Sequence, residues 1–362
     1  EWLKPLLVGR DPSRIEELYR LMSVNGYWRN GPVVNNAISG VDQALWDIKG
    51  KQAGMPVYEL LGGRYRNAVP VYRHASGLDP KECEDSAREY VEQGVRYIRI
   101  QAGASRLTRE RELKPEGAGY GGSIYSGPRP EGALEGKYFD AGDYMRGALE
   151  MLEYIRSAFG YGIELLHDVH ERLEPAEAVQ FAREVEPIKL FFLEDLLPPE
   201  QLEWFRNVRQ VCTTPLAMGE LFVHPNEWVP LVKDRLIDFL RMHISAIGGL
   251  TPARKAAVLG EAFGVRTAWH GPRDVSPFGH TANVHLSVAS PNLGVLEFAG
   301  FSEIDEEIFD GCCKLKEGFL YPNDRPGWGM TFDEEKAKQY PPAIETIEWT
   351  QARRPDGGLG RP

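Results

Sequence analysis

The sequence predicts an α/β fold of the TIM-barrel kind preceded by a smaller helical segment, and three observations lead there. From Val69 onward, short apolar runs alternate with amphipathic helical patterns. Three acids, Asp168, Glu194 and Glu220, follow one another at intervals of 26 and 26 residues, each closing such a run. A βαβ unit takes roughly 30 residues, so this interval suits successive strands of a parallel sheet. Finally, the 69 residues from Arg99 to Asp168 exceed what one βα unit needs, and the excess, 116–136, is rich in Gly and Pro. A long loop of that kind is expected at the C-terminal face of a barrel, where active sites lie.

Residues 1 to about 66 read as helical. Ser13 is placed to cap a run from Arg14 to Met22, and 35–51 carries Ile38, Val41, Ala44, Leu45 and Ile48 at helical spacing. Gly62-Gly63 ends that pattern. Strands are expected at 69–72, 97–100, 165–168, 191–194, 216–220, 239–242, 266–270 and 295–298, with helices over 80–93, 144–159, 175–185 and 252–263. Eight strands with intervening helices favour a TIM barrel over an open doubly wound sheet. Strand ends at Glu220, Arg241, His270 and Glu297 continue the rhythm. Beyond Phe301 the sequence reads as irregular, and it is expected to return to the first segment. The division is therefore 1–66, 67–300 and 301–362.

A chain of 362 residues can bury a large core. No apolar run reaches about 18 residues, so no membrane partner is expected. A net charge of −11 without a basic stripe argues against nucleic acid. Cys83, Cys212, Cys312 and Cys313 lack paired or metal-site spacing, which makes a reducing cytoplasm the default location. The chain opens at Glu1 in helical sequence without an initiator Met, so an N-terminal segment is expected to precede it.

An acid at the end of a buried strand is costly unless it is paired or metal-bound. Three converging carboxylates without thiols favour a hard divalent cation, Mg²⁺ first. His170, two residues beyond Asp168, would share its side of an extended strand and serve either proton transfer or orientation by hydrogen bonding. His167 should face the other way. His270, Asp274 and Glu297 could hold polyol hydroxyls, form a second acid–base pair, or make a network without chemical role. Arg99 and Arg241 sit in apolar strand sequence and need an anion, from the protein or from a ligand. Gly117-Ala118-Gly119-Tyr120-Gly121-Gly122 matches a dinucleotide fingerprint but follows a charged stretch instead of a strand, so it reads as loop flexibility. Tyr120 within it could swing over a substrate or pin the loop by packing.

These residues resemble the enolase superfamily and, within it, the mannonate dehydratase-like group, also called the D-galactonate dehydratase family. The likeness rests on the stretch 36–51 (Asn36 through Gly40-Val41-Asp42 and Trp46-Asp47 to Lys51), Leu60-Leu61-Gly62-Gly63, Leu166-His167-Asp168-Val169-His170, Leu193-Glu194-Asp195 and Thr214-Pro215-Leu216-Ala217-Met218-Gly219-Glu220. Gly248-Gly249-Leu250-Thr251 and the run from His270-Gly271-Pro272 to Pro277 extend it over nearly the whole chain. The resemblance implies a modified TIM (β/α) barrel with an N-terminal α+β capping domain, whose first strands this chain lacks. It implies Asp168, Glu194 and Glu220 as Mg²⁺ ligands, and His74, His170, Glu220, Arg241, His270, Asp274 and Glu297 as substrate contacts. Where many members carry a Lys-x-Lys base motif, Arg99-Ile100-Gln101 stands here, as in the mannonate dehydratase group. That group pairs the Arg with a loop Tyr, which is Tyr120, or in another register Tyr125. Pro272 stands where its efficient mannonate dehydratases carry Ala, which resembles gluconate-using or inactive members.

The implied reaction is β-elimination of water from a sugar acid of D-mannonate or D-gluconate type. Tyr120, made more acidic by Arg99, takes the C2 proton, and protonated His170 serves the departing 3-hydroxyl. The product is a 2-keto-3-deoxy acid. Two alternatives stand beside it: a racemase or epimerase on the same scaffold, and a binding or regulatory protein without useful turnover. Family analogy also suggests a homo-oligomer.

Overall fold

Gly31 and Pro32 open the longest helix, Pro32–Ala53, because proline lacks an amide that the first turn could not have bonded. Gly54 closes it in the left-handed conformation, φ 66°, which favours glycine. The computed structural model describes residues 2–27, 29–77, 79–100, 125, 127–341 and 352–361. The buried face of this helix carries Ile38, Leu45 and Trp46 together with Ser39, Asp42 and Gln43. Ile48, expected on the apolar stripe, is exposed instead. The stripe is rotated because Asp42 points inward and accepts from Thr251 N (2.9 Å) and Thr251 Oγ1 (2.5 Å). The preceding helix, Ile15–Asn25, has no side-chain cap. Ser13 does not serve there, since its amide closes a turn on Asp11 Oδ1 (2.9 Å).

Along the chain the strands are β1 (Val69–Ala75), β2 (Tyr97–Ile100), β3 (Lys137–Tyr138), β4 (Glu164–Asp168), β5 (Phe192–Glu194), β6 (Leu216–Met218), β7 (Phe239–Leu240), β8 (Arg266–Thr267) and β9 (Leu296–Glu297). They continue with β10 (Phe309–Asp310), β11 (Lys314–Lys316), β12 (Phe319–Tyr321), β13 (Thr331–Phe332) and β14 (Ala352–Arg353). The eight strands read from the sequence are β1, β2 and β4 to β9, with several shorter than expected. Contacts divide the chain into two compact units, Glu1–Tyr72 with Met218–Pro341, and Arg73–Ala217 with Pro342–Pro362.

In the second unit β2, β4 and β5 are parallel, with Arg99 opposite Leu166 and Asp168 opposite Glu194, and β5 continues into the start of β6. Helices separate these strands, as parallel connections require. Asp79 caps Pro80–Glu92 and Asp140 caps Ala141–Phe159, each accepting from a first-turn amide. A Glu174/Glu177 capping box starts Pro175–Glu184. The terminal strand β14 pairs in parallel with β3, and Arg354 reaches Glu174 at 2.7 Å.

In the first unit β1 pairs in parallel with β9, setting Tyr72 opposite Glu297, and β7 pairs in parallel with β8. The segment after Phe301 is more regular than expected. It contains the helix Glu303–Ile308 and a β11–β12 hairpin that adds antiparallel to β1. Glu317 and Gly318 both have positive φ (51° and 76°), which matches the right-handed twist of a tight hairpin. Trp328 donates Nε1–H to Gln43 O and its amide to Asp47 Oδ1, both at 2.9 Å, tying this segment to Pro32–Ala53. These parallel strands with intervening helices are consistent with a modified TIM barrel.

Candidate active site

In the second unit, β4 ends on Asp168 and β5 on Glu194, and their register sets the two acids side by side. Asp195 follows directly. Ligand atoms of Asp168, Glu194 and Asp195 lie within 4.8 Å of one another, and all three residues are fully buried. Arg99, projecting from β2, donates Nη1–H to Glu194 Oε1 at 2.5 Å and lies 3.3 Å from Asp168 Oδ2. Its Nη2 stands 3.4 Å from His74 Nδ1 on β1. Hard oxygen donors packed this closely fit a cation such as Mg²⁺.

His170 does not continue the strand. Its backbone is left-handed (φ 56°), as is that of Glu171 (φ 59°), and the His170 amide donates to Asp168 Oδ1 at 2.7 Å. The extended geometry used to place it beside Asp168 therefore does not hold. The turn forms because the carboxylate offers the amide an acceptor that the ending ladder no longer supplies. Asp195 is also left-handed (φ 38°), and its carbonyl accepts from Glu171 N at 2.8 Å, so the two turns brace each other. His167 is wholly buried. It donates Nδ1–H to Ile100 O (2.6 Å), accepts from Tyr144 at Nε2 (2.8 Å), and burial pushes its pKa down to about 4. Tyr120 and the Gly-rich match around it lie outside the described residues. Tyr125 donates its hydroxyl to Pro128 O at 2.9 Å.

In the first unit, Glu220 lies two residues past β6, unlike Asp168 and Glu194, which end their strands. Gly219 carries it there at φ 136°, where a Cβ would stand 2.8 Å from the Phe222 ring. Arg241 binds Glu220 Oε2 at 2.7 Å, Glu297 Oε2 at 2.6 Å and the Tyr72 hydroxyl at 3.0 Å. The Gly271 amide also donates to Glu297 Oε2, at 3.0 Å. His270 turns Nε2 towards Glu220 (3.3 Å) and Glu297 (3.6 Å). Burial nevertheless holds its pKa down, to about 3, with the pull of Glu220 opposed by Arg241. Asp274 is exposed and faces His243 Nε2 at 4.0 Å. The arginines thus find their anions within the protein.

Residues 82–336 match the family described as enolase C-terminal domain-like. Residues 1–62 match the mandelate racemase / muconate lactonizing enzyme N-terminal domain. A D-galactonate dehydratase family member of Musicola paradisiaca is 46% identical over 375 residues, covering 100% of this chain and 87% of the relative. The chain belongs to the D-galactonate dehydratase family of the enolase superfamily. Another family member, from Pantoea ananatis, has the same identity and coverage. The crystal structure of an enolase from Pantoea ananatis with bound D-gluconate and Mg superposes with a TM-score of 0.93 at 47% identity, covering 99% of this chain and 87% of that one. A mandelate racemase/muconate lactonizing enzyme from Jannaschia sp. CCS1 follows the same fold at a TM-score of 0.78 and 26% identity, covering 94% and 83%.

Sequence reasoning missed Asp195 and His243. Asp195 adjoins Glu194, where strand alternation would have turned it away, and the left-handed turn that overrides alternation has no sequence signature. His243 lies three residues past the end of β7, where strand alternation does not place it, and forms an isolated bridge with His270.

Proposed function

We propose that this chain is a Mg²⁺-dependent hydro-lyase that removes water from a sugar acid, of D-mannonate or D-gluconate type, to give a 2-keto-3-deoxy acid. The observation that carries the reading is the buried Asp168–Glu194–Asp195 cluster beside Arg99 and His170. The D-gluconate and Mg in the Pantoea ananatis relative support the substrate class and the ion. Asp168 and Glu194 would hold the ion, with Glu220 assigned to it from its sequence interval. Bound Mg²⁺ supplies Lewis-acid polarisation of the substrate carboxylate, which acidifies the α-carbon.

The protein's own groups carry the proton traffic. Tyr120 as phenolate, with Tyr125 as the other candidate, takes the C2 proton, and the guanidinium of Arg99 favours the ionised phenol. The C2–H electron pair forms the carbon–carbon double bond as the C3–O bond breaks. His170 as imidazolium gives its proton to the leaving oxygen, which departs as water, and the enol tautomerises to the keto acid. His74, Arg241, His270, Asp274 and Glu297 contact the substrate. Residues 1–66 act as a capping domain, 67–300 as the barrel and 301–362 as a segment returning to the cap. The protein works as a homo-oligomer in the cytoplasm. Four buried free thiols support a reducing compartment, and no helix among the described residues is long and apolar enough to cross a membrane.

An end-point assay for α-keto acid, with Mg²⁺ and a panel of aldonic and uronic acids, tests this reading. Catalytic formation of a keto-deoxy acid from one or two stereoisomers is expected. Silence across the panel with metal bound would overturn it.

A further inference from the structure

His167 is a buried polar residue that the proposed chemistry does not use, and both of its ring nitrogens are engaged within the second unit. In the register of β2 and β4 it stands opposite Ile100, the last residue of β2. Its Nδ1 reaches the Ile100 carbonyl at 2.6 Å, and its Nε2 meets the Tyr144 hydroxyl at 2.8 Å. A carbonyl can only accept, so Nδ1 carries the proton, and in the neutral ring Nε2 then accepts from Tyr144. Tyr144 projects from the helix Ala141–Phe159 and has no exposed surface. Its ring stacks on His167 at 6.1 Å and 26°, and Phe181 meets the imidazole edge-on at 5.7 Å.

The neighbouring positions on the two strands carry charge. Side chains alternate along a strand, so Arg99 and Asp168 lie on the face opposite to His167. There Arg99 Nη1 donates to Glu194 Oε1 at 2.5 Å and stands 3.3 Å from Asp168 Oδ2. Arg99 is the next to last residue of β2, a strand of four residues, and a ladder loosens first at its ends. The bond from His167 to the Ile100 carbonyl adds a side-chain rung at that end, one residue from Arg99. An apolar side chain could fill the space beside Tyr144 and Phe181, but it would leave the Ile100 carbonyl without this donor.

We propose that His167 is a positioning residue: through the Ile100 carbonyl it fixes the end of β2, and with it Arg99, against Asp168 and Glu194, while Tyr144 holds its ring. It acts through the backbone, from the face away from the carboxylates. A guanidinium displaced by about 1 Å no longer stabilises charge where the reaction develops it, and such misplacement costs rate more than binding. The effect on turnover rests on the dehydratase reading of the site; the placement of Arg99 does not.

Two substitutions separate the ring nitrogens, since an Asn amide N–H falls near Nδ1 and a Gln amide N–H near Nε2. On the preferred sugar acid with Mg²⁺, His167→Gln is expected to lower kcat about tenfold with KM within about twofold, and His167→Asn to recover most of that loss. Crystal structures of the folded variants read the cause. Arg99 should leave Glu194 in His167→Gln and keep it in His167→Asn. A folded His167→Gln with wild-type kcat, equal losses in the Asn and Gln variants, or an unmoved Arg99 would overturn the proposal. Tyr144→Phe keeps the Ile100 bond and frees only Nε2, so it serves if neither His167 variant folds. It should lower kcat about threefold at unchanged KM, and wild-type kcat in it would sink the idea. A wild-type protein that dehydrates no sugar acid refutes the dehydratase reading alone. The position of Arg99 in the variant structures then decides the role of His167, with the same two outcomes.

Discussion

Arg241 has no exposed surface, and its guanidinium is divided among Glu220, Glu297 and the Tyr72 hydroxyl. A buried arginine is tolerated because each edge of its planar fork meets an acceptor, and its loss leaves two carboxylates facing each other in a dry place. Arg241→Met should therefore cost about 3–5 kcal/mol in denaturant-induced unfolding. A change within about 0.5 kcal/mol would mean that the network is solvated or rearranges freely. At this scale the sequence was informative where chemistry and position coincide. Arg99 and Arg241 stood out because arginine does not belong in apolar strand sequence without an anion, and both have carboxylate partners. The left-handed turn at His170 was not legible, because it depends on Asp168 offering Oδ1 to the next amide but one.

Asp42 shows how one side chain joins two helices. It projects from Pro32–Ala53 and takes the amide and hydroxyl of Thr251, in the first turn of Leu250–Ala262. A carboxylate suits the positive end of a helix, but burial outweighs these bonds and raises the Asp42 pKa from 3.8 to about 6. The folded state then holds this proton more tightly than the unfolded chain. The contribution of Asp42 to stability is full below about pH 3.8 and declines as pH rises through about 6. Asp42→Asn does not titrate, so the stability of wild type relative to the variant should fall by about 2 kcal/mol between pH 4 and pH 7. Denaturant midpoints at a series of pH values check it, and a difference independent of pH would contradict the raised pKa. Periodicity alone located the Pro32–Ala53 helix but misplaced its buried face, because hydropathy ranks an aspartate as a surface residue. Strand positions were legible from apolar runs, as were the ends of β4 at Asp168 and β5 at Glu194, while the end of β6 was not. Glu220 falls outside β6 because Gly219 turns the chain, and the 26-residue interval survives that change of context.

Across the whole molecule, burial holds several imidazoles neutral. The pKa values of His167 and His280 fall to about 4, and those of His270 and His285 to about 3, with desolvation the largest cause in each. Below the ordinary value of 6.5 the unfolded chain takes up protons that these sites refuse. Each therefore withdraws about 1.4 kcal/mol of stability per pH unit as pH falls from 6.5 towards its folded value. The apparent melting temperature should drop steeply below pH 6.5. A plateau down to pH 5 would show that these imidazoles accept protons in the fold. At this scale the β–α rhythm was legible because parallel strands need a helix between them, and the relatives share the resulting fold. The boundaries of the two compact units were not: two of them fall inside β1 and β6 of the folded chain, and the third between Pro341 and Pro342.

The central claim is that carboxylates at the ends of neighbouring strands serve a metal-dependent elimination. The most direct test is formation of 2-keto-3-deoxy acid from the preferred sugar acid, followed by proton NMR with Mg²⁺, for wild type and for Glu194→Gln. The account predicts turnover by the wild type, loss of at least about a thousandfold in the variant, and none after chelation. Product formed by Glu194→Gln at the wild-type rate, or by chelated enzyme, would contradict it.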